Sequence, residues 1–236
     1  KYFFDNNTPR ELASRIWNFI WQNDLTRRHR MRTDEVEVFG LLPSSLLVQI
    51  KYQTFSPMLN EHPIFQRYNE WEPQAMKSLC STGIEQKLVR PAEDIYWSLS
   101  TGVNRMIFVT AGSIMYQPDD NMPGEYVVKT GMWACEECLW GRHPFLSGTL
   151  SGGTIGADLL CIIPSEFQEI TRKVAKTVPY FVAYAEAFIT TFNRYCADDA
   201  CTDLLFNDPA LMAYLAHKAE TVTESLSPGS TSSLKP

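Results

Sequence analysis

Residues 131–151 read GMWACEECLWGRHPFLSGTLS, and the fold is decided by what surrounds them. A glycine, an aromatic residue, two acids and two cysteines lead into a Gly/Ser/Thr segment, with β-type runs on both sides. That is the composition of a binding loop held between strands. Outward from it, runs of β-branched and aromatic residues separated by turn residues fall at 84–90, 94–97, 105–110, 113–117, 125–129 and 157–163. Short strands at this spacing predict an antiparallel barrel or sandwich of jelly-roll type.

Helical patterns flank the strands. Thr8 caps a helix with Pro9 at its first position and Glu11 reaching back to the cap. Leu12, Ile16, Phe19 and Ile20 then share one face over about four turns. Thr33 is read as capping a short acidic helix that carries Val36 and Phe39 and ends at Gly40. Ser44 begins another, with Leu46, Leu47 and Ile50 inward and Pro57 as its bound. These short helices offer little core of their own, the pattern of an array that packs on a partner. Pro73 opens a helix with Ala75, Met76 and Leu79 on one side, and Gly83 closes it. From Pro164 helical periodicity returns through Phe167, Ile170 and Val174, then Phe181, Tyr184, Phe188, Ile189 and Phe192. Asp208 and Pro209 open a last helix to residue 221, and the Ser/Pro/Gly-rich end is expected to be disordered. The fold class is α+β: a helical array, an antiparallel β-roll of jelly-roll type, and flanking helices. Residues 1–62, 63–196, 197–221 and 222–236 are the array, the β-roll domain, a connector with a helix, and a tail.

The formal net charge of −6 argues against a general nucleic-acid binder, whose affinity rests on an excess of Lys and Arg. One basic cluster opposes that average: Arg27, Arg28, His29, Arg30 and Arg32. Six scattered cysteines with no signal-like segment before them predict reduced, cytosolic thiols. No apolar run approaches the roughly 20 residues needed to cross a bilayer. Lys1 in place of a starting methionine suggests a piece of a longer protein.

Cys135 and Cys138 form a C-x-x-C followed by His143, but a structural zinc site needs four ligands and no second pair appears. His29, His62, His143 and His217 are too scattered for the clustered metal ligands of a cupin enzyme. With no nucleophile–base pairing and no Gly-rich phosphate loop in the sequence, the expectation is a non-enzyme without metal. Of the two acids, Glu136 reads as a binding residue and Glu137 as its solvated neighbour.

The order of helix array, helix, strands with a Gly-to-Glu turn, and two further helices resembles the C-linker and cyclic-nucleotide-binding domain of tetrameric cation channels. The hyperpolarisation-activated, cyclic-nucleotide-gated and ether-à-go-go types share it. LLPSSLLVQIKYQTFSPMLNEHPIF (residues 41–65) is similar to the linker segment from "LP..L" to "hPlF". GVNRMIFVTAGSIMY (102–116) is similar to the strand pair "a..myFi..G.v.v", and PAED (91–94) stands where the family has a "PG(D/E)" turn. GMWACE (131–136) stands where it has "G.yFGE", the start of its phosphate-binding cassette. The likeness covers roughly residues 2–196.

The resemblance implies a cytosolic regulatory and assembly module of a tetrameric cation channel, with potassium the expected ion. It implies a homotetramer formed through the linker, on the cytoplasmic side of a membrane. In the family a glycine lets backbone N–H groups approach the cyclic phosphate, a carboxylate accepts from the ribose 2′-hydroxyl, and an arginine pairs with the phosphate. Mapped here, the pocket candidates are Gly131, Trp133, Cys135 in the glycine's place, Glu136 as the carboxylate, and Gly148 and Thr149. Gly148 replaces the arginine, Arg142 is the nearest substitute, and Ala92 replaces the glycine of the barrel turn. Because a hydrogen bond to a charged group contributes about 1.5–3 kcal/mol, losing the arginine alone weakens binding about ten- to a hundredfold. Low affinity for cAMP and cGMP, or none, is therefore expected, and no other cofactor. Ether-à-go-go-type channels fill this pocket with a segment of their own chain, and Leu204, Leu205 and Phe206 are the matching candidates. Arg27, Arg28, Arg30 and Arg32 are candidates for contact with anionic lipid headgroups. The alternative is a functional cAMP- or cGMP-sensing domain, of a channel or of a soluble kinase-type regulator; the latter carries an intact cassette and lacks the linker array.

Overall fold

A computed structural model describes residues 9–22, 32–96, 105–118, 125–140, 148–197 and 208–226. Two compact units, Lys1–Met31 and Arg32–Pro236, divide the chain. The first contributes helix α1 (Arg10–Gln22). In the second, 3₁₀ turns Thr33–Glu35 and Glu37–Leu41 stand where one acidic helix was expected, and Thr33 does not cap it. Its backbone N–H and its hydroxyl both donate to Gln86 Oε1 at 2.9 Å, pinning the turn to the first strand.

Helix α2 (Ser44–Leu59) runs through Pro57 rather than stopping before it. Its inward residues are Phe55 and Leu59, while Leu46, expected inside, is exposed. A helix not anticipated from the sequence follows, α3 (Pro63–Trp71). Proline at its first position costs no hydrogen bond, because that N–H has no helical acceptor, and the His62 ring caps the start by accepting from Ile64 N–H at 3.2 Å. Helix α4 (Pro73–Thr82) repeats the proline start and ends on Gly83, as read.

The strands are β1 (Ile84–Val89), β2 (Asp94–Tyr96), β3 (Met106–Pro118), β4 (Tyr126–Lys129), β5 (Trp133–Ala134) and β6 (Gly148–Ile162), with the short helix α5 (Glu137–Trp140) between the last two. They form one antiparallel six-stranded sheet in the order β1-β6-β3-β4, with β2 paired to β6 and β5 to β3. β3 and β6 pair along their lengths, from Met106↔Ile162 to Pro118↔Gly148, with register shifts beside Ala111 and Gly112. The two short runs expected at 105–110 and 113–117 are thus one bulged strand, and the strand expected at 157–163 begins nine residues earlier, at Gly148. Close backbone approach explains the glycines that obscured it: a Cβ at Gly152 would lie 2.0 Å from Arg90 O, and one at Gly156 2.4 Å from Val89 O.

Helices α6 (Pro164–Arg172), α7 (Val178–Ala197) and α8 (Pro209–Leu226) complete the chain. Asp208 caps α8, its carboxylate accepting from Ala210 N–H at 2.9 Å. α8 extends through Leu226, so residues 222–226 are helical rather than part of a disordered tail. Among the described residues, no helix is long and apolar enough to cross a membrane.

Alternation along the strands sorts the side chains into two cores. Met106, Phe108, Trp133, Leu160 and Ile162 face the helices and pack with Phe55, Leu59, Phe65, Tyr68, Phe167, Phe181, Tyr184 and Phe188. Ile107, Val109, Leu159 and Cys161 face the other way and pack with Val89, Tyr96, Ile114, Tyr116, Val128 and Leu150. The helical core crosses the boundary expected at residue 62, since Phe55 and Leu59 share it with Ile64 and Phe65.

Candidate functional site

Among the described residues, the stretch 131–151 folds as a turn, the strand β5, the short helix α5 and the start of β6. Gly131 holds the turn between β4 and β5 with φ of 88°, a conformation glycine adopts without a Cβ penalty. Its N–H donates to Val109 O at 2.9 Å, anchoring the turn to β3. Trp133 and Ala134 alternate along β5, and the alternation breaks at Cys135, which stays on the side of Ala134. Trp133 points into the helical core, edge-on to His62 at 4.5 Å between ring centroids. Cys135 points into the sheet core, its thiol donating to Tyr96 Oη at 3.3 Å.

Cys135 has φ of 63° and Ala92 has φ of 56°. They are the two positive-φ residues other than glycine among the described residues, and a few per cent of such residues adopt that region. Ala92 is the third residue of a turn over 90–93, in which Glu93 N–H donates to Arg90 O at 3.1 Å. Proline second and a positive φ third make this a type II turn, which ordinarily takes glycine at that third place.

Glu136 is buried and fully engaged. His62 Nε2 lies 2.9 Å from its Oε2, while Tyr184 Oη–H and Trp140 Nε1–H donate to its Oε1 at 2.8 and 3.2 Å. The His62 tautomer follows from the helix cap: Nδ1 accepts from Ile64 N–H, so its lone pair is free of a proton and Nε2–H is the donor to Glu136. Three neutral donors from α5, α7 and the start of α3 therefore hold one buried carboxylate. Burial first, and the adjacent Glu136 charge second, hold the Tyr184 phenol well above its ordinary range, keeping it protonated as a donor. The same hydroxyl lies 3.3 Å from Met212 Sδ, so α8 packs against the node as well.

The other candidates do not converge on Glu136. Gly148 opens β6 against the sheet core, and a Cβ there would meet Gln117 O at 2.5 Å and the Tyr116 ring at 2.7 Å. Thr149, half-buried, pairs with Gln117 in the ladder. Glu137, expected to be solvated, is buried instead. Arg32 forms an ion pair with Glu35 at 3.1 Å. Arg142, Leu204, Leu205, Phe206, Arg27, Arg28 and Arg30 lie outside the described residues.

His62, Tyr184 and Trp140 were not among the sequence candidates. His62 had been set aside as a scattered histidine outside the strands; the one available signal was its place before Pro63, where a ring nitrogen can cap a helix. Comparison with protein-family models and with curated proteins finds no match.

Proposed function

We propose that this chain is a C-linker and degenerate cyclic-nucleotide-binding-like domain, the cytosolic regulatory and assembly module of a tetrameric cation channel, and that it has no high-affinity site for cAMP or cGMP. The observation that carries the reading is the pair of positive-φ residues. Ala92 and Cys135 stand at the two positions where the resemblance calls for glycine. A left-handed conformation costs an L-residue roughly 1–2 kcal/mol, so a backbone that keeps it at both places supports descent from a glycine-bearing cassette.

The finer architecture agrees with that reading. Val89 and Val128, from the two end strands of the path, belong to one apolar cluster, which suits a roll whose inner face that cluster fills. Turn, short helix and strand follow one another around Glu136 as in a phosphate-binding cassette.

Loss of the ligand follows from the same residues. The carboxylate that would accept from a ribose hydroxyl already accepts from His62, Tyr184 and Trp140. Cys138 and Leu139 N–H donate to Cys135 and Glu136 carbonyls within the short helix rather than outward. The position of the phosphate-binding arginine is walled by Tyr116. In this reading the domain supplies assembly and a fixed bias on the gate instead of a nucleotide response, because a ligand shifts an equilibrium only through unequal affinity for its two states. Calorimetric titration with cAMP and cGMP tests it: no saturable binding in the micromolar range is expected, and micromolar affinity overturns it.

A further inference from the structure

The Trp140 that donates to Glu136 also walls a cleft of about 230 Å³ between α5, α6 and α7. Phe167, Val178, Phe181 and Val182 also line it, and Val182 is exposed rather than packed. The rings are fixed in place. Trp140 lies 5.7 Å edge-on from Phe167, and Phe167 lies 5.4 Å edge-on from Phe181.

Two polar side chains of the lining donate to backbone carbonyls. The Gln168 amide donates to Leu139 O at 3.1 Å, and the Thr171 hydroxyl donates to Phe167 O at 2.9 Å. Arg172, in the last turn of α6, lines the cleft, is exposed, and has no carboxylate partner among the described residues. An apolar, preorganised wall with a few polar anchors is the usual form of a small-ligand site. Here the charged anchor is a guanidinium, which pairs with a carboxylate through charge-assisted hydrogen bonds. A nucleotide does not suit this surface, since its sugar hydroxyls and base edge would be buried without partners.

We propose that the cleft binds a small monoanionic amphiphile, an acyl or aryl carboxylate, with its apolar body against Trp140, Phe167 and Phe181 and its carboxylate on Arg172. At about 230 Å³ the cleft is smaller than the usual pocket of about 300–1,000 Å³, so the body it takes is short. Because Trp140 belongs to both sites, such a ligand bears directly on the donor set of Glu136 and through it on α7. Binding itself is independent of the channel reading; a consequence for gating rests on it.

The test is calorimetric titration of the whole chain with octanoate, with octanol as the uncharged control. One saturable submillimolar site is expected, about what ten heavy atoms provide, with octanol about two- to fivefold weaker, the scale of an exposed ion pair. Arg172→Gln removes the preference for octanoate, and Val182→Glu, which sets a like charge at the mouth, abolishes octanoate binding. Both residues are exposed, so both variants retain the fold. Absence of a saturable site, or octanoate binding unchanged in Arg172→Gln, overturns the proposal. Cyclic AMP added to the same samples reports separately on the nucleotide-blind reading.

Discussion

His62 Nε2 and Glu136 Oε2 lie 2.9 Å apart with both side chains out of solvent. His62 ends the segment leading into α3, and Glu136 immediately precedes the short helix α5, so this contact joins the part expected to be a linker to the part expected to bind. Tyr184 and Trp140 complete the carboxylate's donor set. A buried carboxylate held by neutral donors is stable only while every donor stays, because an unmet charge costs more than a formed hydrogen bond returns.

Tyr184→Phe removes one donor at nearly constant volume. A loss of about 1.5–3 kcal/mol is expected, read as a lower urea midpoint with an unchanged slope. Glu136→Gln places an amide N–H₂ among three donors and is expected to be at least as damaging; a neutral result for both would remove the node from the account.

Ala92 and Cys135 share a backbone conformation but differ in what their side chains do. Ala92 is exposed on its turn, so Ala92→Gly relieves strain and loses little: a gain of roughly 0.5–1 kcal/mol is expected after the greater chain entropy of glycine is subtracted. Cys135→Gly relieves the same strain but empties a buried position hydrogen-bonded to Tyr96, so little or no gain is expected there. Chemical denaturation of the two variants side by side distinguishes these outcomes.

Gly148 is closed to larger residues. Gly148→Ala sets a methyl group against Gln117 O and the Tyr116 ring, and overpacking of this kind costs about 1–3 kcal/mol. Gly148→Arg is expected to destabilise further and to leave cAMP binding absent. A variant that folds well and gains micromolar cAMP affinity would show that the missing arginine was the whole of the defect.

Much of the fold could be read because local signals were explicit. Pro73, Gly83, Pro164 and Asp208 with Pro209 punctuate the helices where the structure starts or ends them. Signals that depend on a distant partner were not legible. Gly152 and Gly156 look like turn residues until the neighbouring backbone that excludes a Cβ is known. His62 looks like a stray histidine until Glu136, 74 residues away, is placed beside it. The split site follows from a break in alternation: residues two apart on a strand share a face, but the positive φ at Cys135 leaves its side chain in the sheet core while Trp133 lies in the helical core.

Burial pushes the Cys80 and Cys161 thiols up from 9.0 to about 12. Below pH 9 both states hold these protons and stability is unaffected by them. Between about pH 9 and 12 the unfolded chain gives them up while the folded chain keeps them, so the unfolded state binds fewer protons and stability falls as pH rises. Buried Tyr68 and Tyr180, also shifted upward by burial, act in the same direction at higher pH. A urea midpoint that falls steadily above pH 9, with neither cysteine labelled by a thiol reagent in the native protein at pH 8, is expected. Rapid labelling of Cys80 or Cys161 in the native state would contradict the packing described.

As proposed, residues 131–151 are a cassette whose backbone persists and whose ligand groups are spent on the protein itself. Calorimetric titration of the unmodified chain with cAMP tests it most directly. No saturable heat is expected at micromolar ligand, and none gained in Tyr184→Phe; a single site of micromolar affinity in the unmodified chain would overturn the proposal.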